Sequence, residues 1–365
     1  MNFTASRSTR KRVLAVAAIA SLSALGLAAC SSSGSGSGSD KVGVSLIVKT
    51  TTNPYFVSME DAAKADAAKA GVNLTLAAGK QDGDVATQVQ AIESAIGRGD
   101  KGILITPNGP GVQNAIDKAR KAGLYVIALD TVPTPPSSVD ITFATDNFAA
   151  GEAIGKWTAS QLNGKAADIA MLDLFNTQVV SVDLNRDQGF LKGMGIKVPD
   201  SSKNGSEAKS GNYTGGTGGS YTIAGHQPTN GDAADGRTAM ETILAKDPNV
   251  NVVYTINEPA AYGAYQALQA AGKAKGTILV SIDGGCTGVS QVKSGIIGAT
   301  SQQYPAKMAS LGMEAIVKLA KTGQKPKTSS GLDFYNTGSQ LVTSTAVPGL
   351  TSITPDAASS ICWGK

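Results

Sequence analysis

Short apolar runs alternate with helical stretches along most of this chain, and this alternation constrains its fold more than any other feature. In the first part of the sequence the runs lie at 42–48, 72–77, 102–106 and 124–129. Between them, apolar residues recur at helical spacing in 54–70, 84–96 and 111–122. Strands that alternate with helices this regularly predict a parallel sheet covered by helices on both faces.

The same pattern restarts in the second part of the chain. The predicted strands there are 167–172, 252–256 and 277–282, and the predicted helices are 148–162, 180–194, 233–245, 259–271 and 305–321. A Gly-rich insertion with few apolar residues, 199–220, is expected to be a surface loop. A length of 365 residues also suggests about two domains, so the sequence predicts two α/β units.

The N-terminus has the layout of a secretory signal peptide. A basic segment ends at Arg12, an apolar stretch follows at 13–27, and Leu-Ala-Ala-Cys stands at 27–30. The apolar stretch is shorter than the roughly 20 residues that a helix needs to cross a bilayer. The four residues resemble the lipobox of bacterial lipoproteins, which implies a signal peptide at 1–29 and a lipid on Cys30. An ordinary signal peptide with a chance cysteine is the alternative. Residues 31–39 are Ser and Gly only, so 30–39 is predicted to be a flexible tether.

Charge and histidine content limit the chemistry. The net charge of +4 equals the four basic residues of the first 29, so the rest of the chain has no excess charge that would indicate nucleic-acid binding. The one histidine, His226, excludes a zinc site built on two or more histidines. It lies in a polar stretch and is expected to be an exposed loop residue. We expect no metal and no cofactor, whereas paired-carboxylate chemistry stays open because acids distant in sequence can meet.

Polar residues directly follow several predicted strands. Asp130 follows 124–129, Asn257 follows 252–256 and Asp283 follows 277–282. In open parallel sheets, ligands bind outside the carboxyl ends of the strands. Carboxylates and amides at that edge suit a polyhydroxylated ligand, because they accept and donate hydrogen bonds to hydroxyls. Each of these residues could instead cap the next helix or start a turn.

Seven segments of the mature chain, in order, resemble the periplasmic sugar-binding proteins of the ribose-binding type, which serve ABC importers, and among them the fructose-binding branch most. The segments are KTTTNPYF at 49–56, ALD at 128–130, ATDN at 144–147, NRDQGF at 185–190, TINE at 255–258, SIDGG at 281–285 and TSQQYP at 300–305. The resemblance implies the type I periplasmic binding protein fold, in which two doubly wound parallel-sheet lobes are joined by a hinge of three crossings.

The resemblance also implies a set of ligand contacts. The implied hydrogen-bonding residues are Asn53, Asp130, Arg186, Asn257, Asp283 and Gln303, and the residues implied to pack on the sugar ring are Tyr55 and Phe56. Two positions depart from the ribose-type pattern, because Thr131 stands in place of an arginine and Ile282 in place of an aromatic residue. These departures put ribose itself in doubt. Phe175 is a candidate replacement aromatic, although it could equally belong to the core.

By the same resemblance the N-terminal lobe comprises 40–144 plus 304–334, and the C-terminal lobe comprises 145–303 plus 335–365. The sequence alone leaves open whether Cys286 and Cys362 form a disulfide or remain two buried thiols. Their expected place in one lobe, together with export, favours the disulfide.

The resemblance predicts a function as well as a fold. It implies a monomeric, non-enzymatic receptor, anchored by lipid outside the cell membrane, that binds a monosaccharide and delivers it to the permease subunits of an ABC transporter. Fructose is the favoured ligand, with ribose or another pentose or hexose as alternatives. Two other classes compete: a surface enzyme that uses Asp130 and Asp283 on carbohydrate, and the effector domain of a transcription regulator. The regulator would need an N-terminal DNA-binding helix pair, where this chain has a signal peptide.

Overall fold

The computed structural model describes residues 41–364, and these residues form two sheets with helices on both faces of each. The predicted signal peptide, tether and lipidated Cys30 lie outside the described residues. Within 41–364, no helix is both long enough and apolar enough to span a membrane.

The first sheet has six parallel strands in the order β12-β5-β4-β3-β1-β2. Its strands are β1 (Gly43–Val48), β2 (Asn73–Ala78), β3 (Gly102–Ile105), β4 (Tyr125–Leu129), β5 (Ile141–Ala144) and β12 (Tyr335–Asn336). Its helices are α1 (Pro54–Ala70), α2 (Val85–Arg98), α3 (Gln113–Lys121) and α9 (Pro305–Thr322). Helices α1 and α9 cover one face and α2 and α3 the other, so both faces are buried against apolar clusters.

The second sheet has seven strands in the order β13-β11-β10-β9-β6-β8-β7. Its strands are β6 (Ala167–Asp173), β7 (Ser210–Tyr213), β8 (Gly219–Pro228), β9 (Val252–Thr255), β10 (Ile278–Asp283), β11 (Ala299–Gln302) and β13 (Gln340–Thr343). Its helices are α4 (Asn147–Leu162), α5 (Ser181–Met194), α6 (Ala233–Lys246), α7 (Glu258–Ala270), α8 (Cys286–Lys293) and α10 (Pro355–Ala358). The edge strands β7 and β13 are antiparallel to their neighbours, and the interior strands are parallel.

The chain passes between the two sheets three times. It leaves the first sheet after β5, returns to it through α9 after β11, and leaves it again between β12 and β13. The predicted fold class, two doubly wound parallel-sheet lobes joined by three crossings, is therefore confirmed. One predicted boundary needs correction: Tyr335 and Asn336 pair with β5 of the first sheet, so the third crossing follows residue 336 instead of 334.

Most predicted elements end within about two residues of the observed ends, but the insertion at 199–220 was interpreted wrongly as a loop throughout. Residues 210–213 form β7 and residues 219–220 begin β8, and the two strands extend the second sheet as an antiparallel pair. Polar and Gly-rich strands at a sheet edge lack the apolar alternation on which the prediction relied.

Helices α4 and α5 pack closely because glycines line their contact. A Cβ atom added at Gly189 of α5 would overlap the carbonyl oxygen of Phe148, and one added at Gly151 of α4 would overlap that of Arg186. Gly155 and Gly193 show the same overlap with backbone atoms of the facing helix. The absence of side chains at these four positions sets how near α5 lies to α4.

We expect Gly189→Ala to destabilise the protein by about 1–3 kcal/mol, the usual cost of overpacking, because the overlapping atom belongs to backbone that cannot rotate away. Gly97→Ala is the matched control, since a Cβ atom at that exposed position of α2 meets nothing within 4 Å. It should stabilise the protein by about 0.5–1 kcal/mol, because alanine favours the helix over glycine. Urea unfolding of both variants tests this, and equal stabilisation by the two changes would contradict it.

Candidate ligand-binding site

Arg186 lies at the centre of a buried polar cluster between the two sheets. Its Nε donates to Oδ1 of Asn147 at 2.7 Å, and its Nη1 donates to the carbonyl oxygen of Ile256 at 3.0 Å. Its Nη2 lies 4.0 Å from Oδ1 of Asp130, and its Nη1 lies 3.9 Å from Oδ1 of Asp283. These last two distances exceed hydrogen-bonding range. One guanidinium therefore faces two carboxylates, and each carboxylate stands at the end of a strand in a different sheet.

Asp130 directly follows β4 and has a left-handed backbone conformation, with φ of 66°. Its Oδ1 accepts a hydrogen bond from the Tyr55 hydroxyl at 3.0 Å, and its Oδ2 accepts one from Oγ1 of Thr131 at 2.9 Å. Non-glycine residues with positive φ are uncommon and cluster at functional sites, and aspartate tolerates this conformation better than most residues. The hydrogen bonds and the backbone together fix the direction of the carboxylate.

Asp283 at the end of β10 holds the equivalent position in the second sheet, and its φ is 148°. Nε2 of Gln303 donates to its Oδ1 at 2.7 Å. Burial raises the pKa of Asp283 to about 6, although the charge of Arg186 acts in the opposite direction. Oε1 of Gln303 is buried and has no hydrogen-bond partner among the described residues, so it is free to accept one from a ligand.

The two asparagines of the predicted site act as helix caps in this structure. Oδ1 of Asn53 accepts from the amide of Tyr55 at 2.9 Å at the start of α1. Oδ1 of Asn257 accepts from the amide of Ala260 at 3.0 Å, while its Nδ2 donates to the carbonyl oxygen of Gly231 at 3.0 Å. Both asparagines therefore cap helices, which is the alternative role that the sequence left open for Asn257. Both side chains also line the cavity described in the next paragraph.

All eight residues that the sequence predicted as ligand contacts line one cavity of about 30 Å³. The eight are Asn53, Tyr55, Phe56, Asp130, Arg186, Asn257, Asp283 and Gln303. Two hydrogen bonds join the surrounding segments across the cleft: Oγ of Ser181 donates to the carbonyl oxygen of Val132 at 2.8 Å, and Nε2 of Gln178 donates to that of Asn108 at 3.0 Å. Small-molecule sites usually measure about 300–1,000 Å³. The two walls of the cleft therefore lie close together, and they must move apart to admit a ligand.

Lys49 and Asp82 belong to the cavity wall, but the sequence-based site did not include them. Lys49 directly follows β1, is 2 % exposed, and places its Nζ 3.7 Å from Oδ1 of Asp82. Burial raises the pKa of Asp82, and the charge of Lys49 opposes that effect. The strand-end rule that identified Asp130 would also have identified Lys49. Asp82 lies four residues beyond β2, so no comparable sequence pattern identifies it.

Aromatic residues form part of the same wall in an arrangement that the sequence predicted only partly. The rings of Tyr55 and Phe56 meet edge to face, with centroids 5.2 Å apart. The ring of Trp363, from the C-terminal tail, packs against Tyr55 at 5.3 Å, and its Nε1 donates to the carbonyl oxygen of Gln303 at 2.9 Å. Phe175, the candidate replacement aromatic, packs in an apolar cluster beside the cavity and does not line it.

A wider groove of about 550 Å³ adjoins the small cavity and shares Asn53, Asp82 and Asp283 with it. Its wall includes Asp232 and Tyr262.

Comparison with known proteins places this architecture among solute receptors. The family model of the periplasmic binding protein domain matches residues 44–325. The ribose import binding protein of Salmonella typhimurium is 28% identical over 292 residues, which cover 80% of this chain and 88% of that protein. The ribose import binding protein of Haemophilus influenzae is 30% identical over 292 residues, which cover 80% and 89% of the two chains. A solved ABC transporter solute binding protein from Actinobacillus succinogenes with bound D-allose has a TM-score of 0.68 at 24% identity, and the match covers 83% of this chain and 98% of that one.

Proposed function

Because this chain belongs to the periplasmic binding protein domain family, we propose that it is the sugar-binding receptor of an ABC importer. In this proposal a monosaccharide binds between the two lobes and is delivered to the permease subunits, and the receptor acts as a monomer without catalysing a reaction. The observation that carries the proposal is the pair of strand-end carboxylates, Asp130 and Asp283, that face one buried guanidinium from different sheets. A polyhydroxylated ligand that contacts all three groups would hold the lobes together, and only such a ligand favours closure.

The chemistry of the cavity supports a neutral sugar rather than an ion. Lys49 and Arg186 supply positive charge, while Asp82, Asp130 and Asp283 supply negative charge. The lysine and the arginine donate hydrogen bonds, and the carboxylates accept them. A sugar hydroxyl can accept from the first kind of group and donate to the second. Tyr55, Phe56 and the nearby Trp363 add the apolar surface that covers the C–H face of a sugar ring.

Within this class we propose fructose as the first ligand to test, with ribose, allose and other pentoses or hexoses behind it. Thr131 uses its hydroxyl to hold Asp130, so it cannot supply the charged donor that an arginine would bring. Ile282 is fully buried and packs in the core of the second lobe, so it offers no stacking face. A pocket that lacks both features should prefer a sugar of different shape from ribose.

A thermal-shift screen of monosaccharides, followed by calorimetry, tests the function. A ligand present at 100 times its Kd stabilises the protein by about 2.7 kcal/mol, which a melting curve detects easily. We expect one sugar to bind with one-to-one stoichiometry and oligosaccharides incubated with the protein to remain intact. The absence of heat and of any stability change with every monosaccharide would contradict the proposal, and turnover of an oligosaccharide would favour the enzyme.

We further propose that a lipid on Cys30 anchors the receptor to the outer face of the cell membrane. Cys30→Ser should release the protein from the membrane fraction without changing sugar affinity, because all eight candidate ligand contacts lie between residues 53 and 303. Fractionation of cells that express the parent or the variant measures the first effect, and titration of the purified proteins measures the second. Ser31→Ala is the matched control and should leave retention unchanged. A Cys30→Ser protein that stays in the membrane fraction would contradict the anchor.

A further inference from the structure

A cluster of acidic side chains surrounds His226 in the second lobe. His226 was expected to be an exposed loop residue, and that expectation is wrong, because it belongs to β8 and its side chain is only 23 % exposed. Its Nδ1 lies 2.7 Å from Oδ2 of Asp173 and 3.8 Å from Oδ2 of Asp187. Its Nε2 lies 2.7 Å from Oε1 of Glu207. Three carboxylates and one imidazole therefore meet in one place.

Several oxygens of this cluster lack partners. Asp187 is 0 % exposed, and neither of its carboxylate oxygens accepts a hydrogen bond from any residue between 41 and 364. Within the same range, Oδ1 of Asp173 and Oε2 of Glu207 are also buried without hydrogen bonds. Asp183, one turn away on α5, shows the contrast, because its oxygens accept from the amides of Leu174 and Phe175 at 2.8 and 3.3 Å. Unpaired buried carboxylates are costly, so they indicate a missing partner of positive charge.

The spacing of the atoms fits a metal ion. One ligand atom each from Asp173, Asp187 and His226 can be chosen so that all lie within 4.8 Å of one another. Ligand atoms of one zinc ion lie about 2.0–2.2 Å from the metal, so no two of them are more than about 4.4 Å apart. A shift of a few tenths of an ångström would bring the three groups into that range. We propose that Asp173, Asp187 and His226 bind one divalent transition-metal ion.

Glu207 supplies a second feature of metal sites. A histidine that binds a metal through one ring nitrogen almost always donates its other N–H to a carboxylate, a carbonyl or a water, which fixes the orientation of the ring. With Nδ1 directed at Asp173 and Asp187, the contact between Nε2 and Glu207 is that hydrogen bond. Glu207 comes from the insertion between α5 and β7, so the site would tie this segment to the core of the lobe.

The ligand set and the local charge define the kind of ion. Imidazole suits zinc and related transition metals, whereas magnesium and calcium prefer oxygen ligands alone. Two carboxylates and one imidazole therefore favour Zn²⁺ or Mn²⁺. Asp173, Asp187 and Glu207 place three carboxylates within 3.8 Å of one imidazole, so the electrostatic potential at this site is negative. The same negative potential would attract a divalent cation.

Metal titration of the full-length protein, purified without a metal-affinity tag and stripped with EDTA, tests the proposal. We expect one equivalent of Zn²⁺ or Mn²⁺ to bind per chain and to raise the melting temperature, and Mg²⁺ and Ca²⁺ to bind at least tenfold more weakly. Asp187→Asn should weaken Zn²⁺ binding at least tenfold. Asp200→Asn, at an exposed acid of the same insertion, should leave Zn²⁺ binding unchanged.

The fold of the variant is checked in EDTA. There Asp187→Asn should melt at or above the temperature of the parent, because it removes a buried carboxylate without a hydrogen-bond partner among the described residues. A stable Asp187→Asn protein that has lost zinc binding would support the site. No saturable binding of either ion to the parent, or equal binding by parent and variant, would overturn it and leave the cluster as an ion-pair network.

Discussion

Replacing Arg186 by alanine should weaken sugar binding at least tenfold. The side chain is 5 % exposed, and it holds Asn147 and the carbonyl oxygen of Ile256 by hydrogen bonds. It also provides the positive charge between Asp130 and Asp283. Hydrogen bonds to charged groups contribute about 1.5–3 kcal/mol each, and 1.4 kcal/mol corresponds to a factor of ten in affinity. The loss of one such bond to the ligand is therefore enough for the expected effect.

The Arg186→Ala substitution should also destabilise the two lobes, because it leaves the buried carboxylates of Asp130 and Asp283 without a nearby positive charge. The pKa of Asp283, already raised to about 6 by burial, loses the charge that opposes this rise. Arg186→Lys keeps the charge but not the planar pair of donors, so its affinity should fall between those of the parent and the alanine variant.

Sugar titrations of the Arg186 variants beside Arg237→Ala measure the effect. Arg237 is the matched control, because it is half exposed on α6 and, among residues 41–364, forms an ion pair only with Glu241, one turn away. Since breaking a buried ion pair can destabilise a fold by about 3–5 kcal/mol, circular dichroism and melting curves must accompany the titrations. A folded Arg186→Ala protein whose affinity stays within twofold of the parent would show that this residue does not contact the sugar.

Loss of the predicted disulfide between Cys286 and Cys362 should reduce the free energy of unfolding by about 2–4 kcal/mol. The two Cα atoms lie 4.9 Å apart, within the usual range for disulfides, and the cysteines are 76 positions apart in sequence. A cross-link of this span restricts the unfolded chain. It also holds the C-terminal tail, where the amide of Cys286 donates to the carbonyl oxygen of Trp363 at 2.9 Å.

Labelling of thiols in unreduced, denatured Cys30→Ser protein shows whether the bond forms, since this background removes the third cysteine. We expect no labelled thiol, and two labelled thiols would refute the pairing. The doubly substituted Cys286→Ser/Cys362→Ser protein should lose the stated stability and should not respond to reductant, whereas reductant should destabilise the parent. Because Trp363 packs on Tyr55 and donates to Gln303, the double variant should also bind sugar more weakly.

Sequence reasoning located seven of the thirteen strands between residues 41 and 364, and the residues at their ends, because both follow from local patterns. A buried parallel strand is an apolar run, and the residue after it stands at the ligand-binding edge whatever the details of packing. Asp130 and Asp283 could be found in this way. Arg186 lies on α5, and Gln303 follows β11, a strand that the sequence analysis did not predict. Only the family resemblance identified these two residues.

The features that the sequence did not reveal depend on contacts between distant segments. His226 looked exposed because its neighbours in sequence are polar, yet its neighbours in space are Asp173 across the sheet, Asp187 on α5 and Glu207 in the insertion. Trp363 gave no signal either, because the tail that carries it reaches the cleft only through the packing of the finished fold. Local sequence propensity carries no information about contacts between residues that are distant in sequence.

The edge strand β12 has a consequence for how the protein can fold. It pairs with β5, which lies about 190 residues earlier in the chain, and α9 also packs on the sheet whose other strands all precede residue 145. Long-range pairings of this kind close slowly, because a large loop must be ordered before the contact is gained. During synthesis the first lobe therefore stays without its last strand and one covering helix until six of the seven strands of the second sheet have been made. A fragment that ends near residue 145 should expose the apolar face that α9 normally covers and should aggregate, although it contains five of the six strands of that sheet.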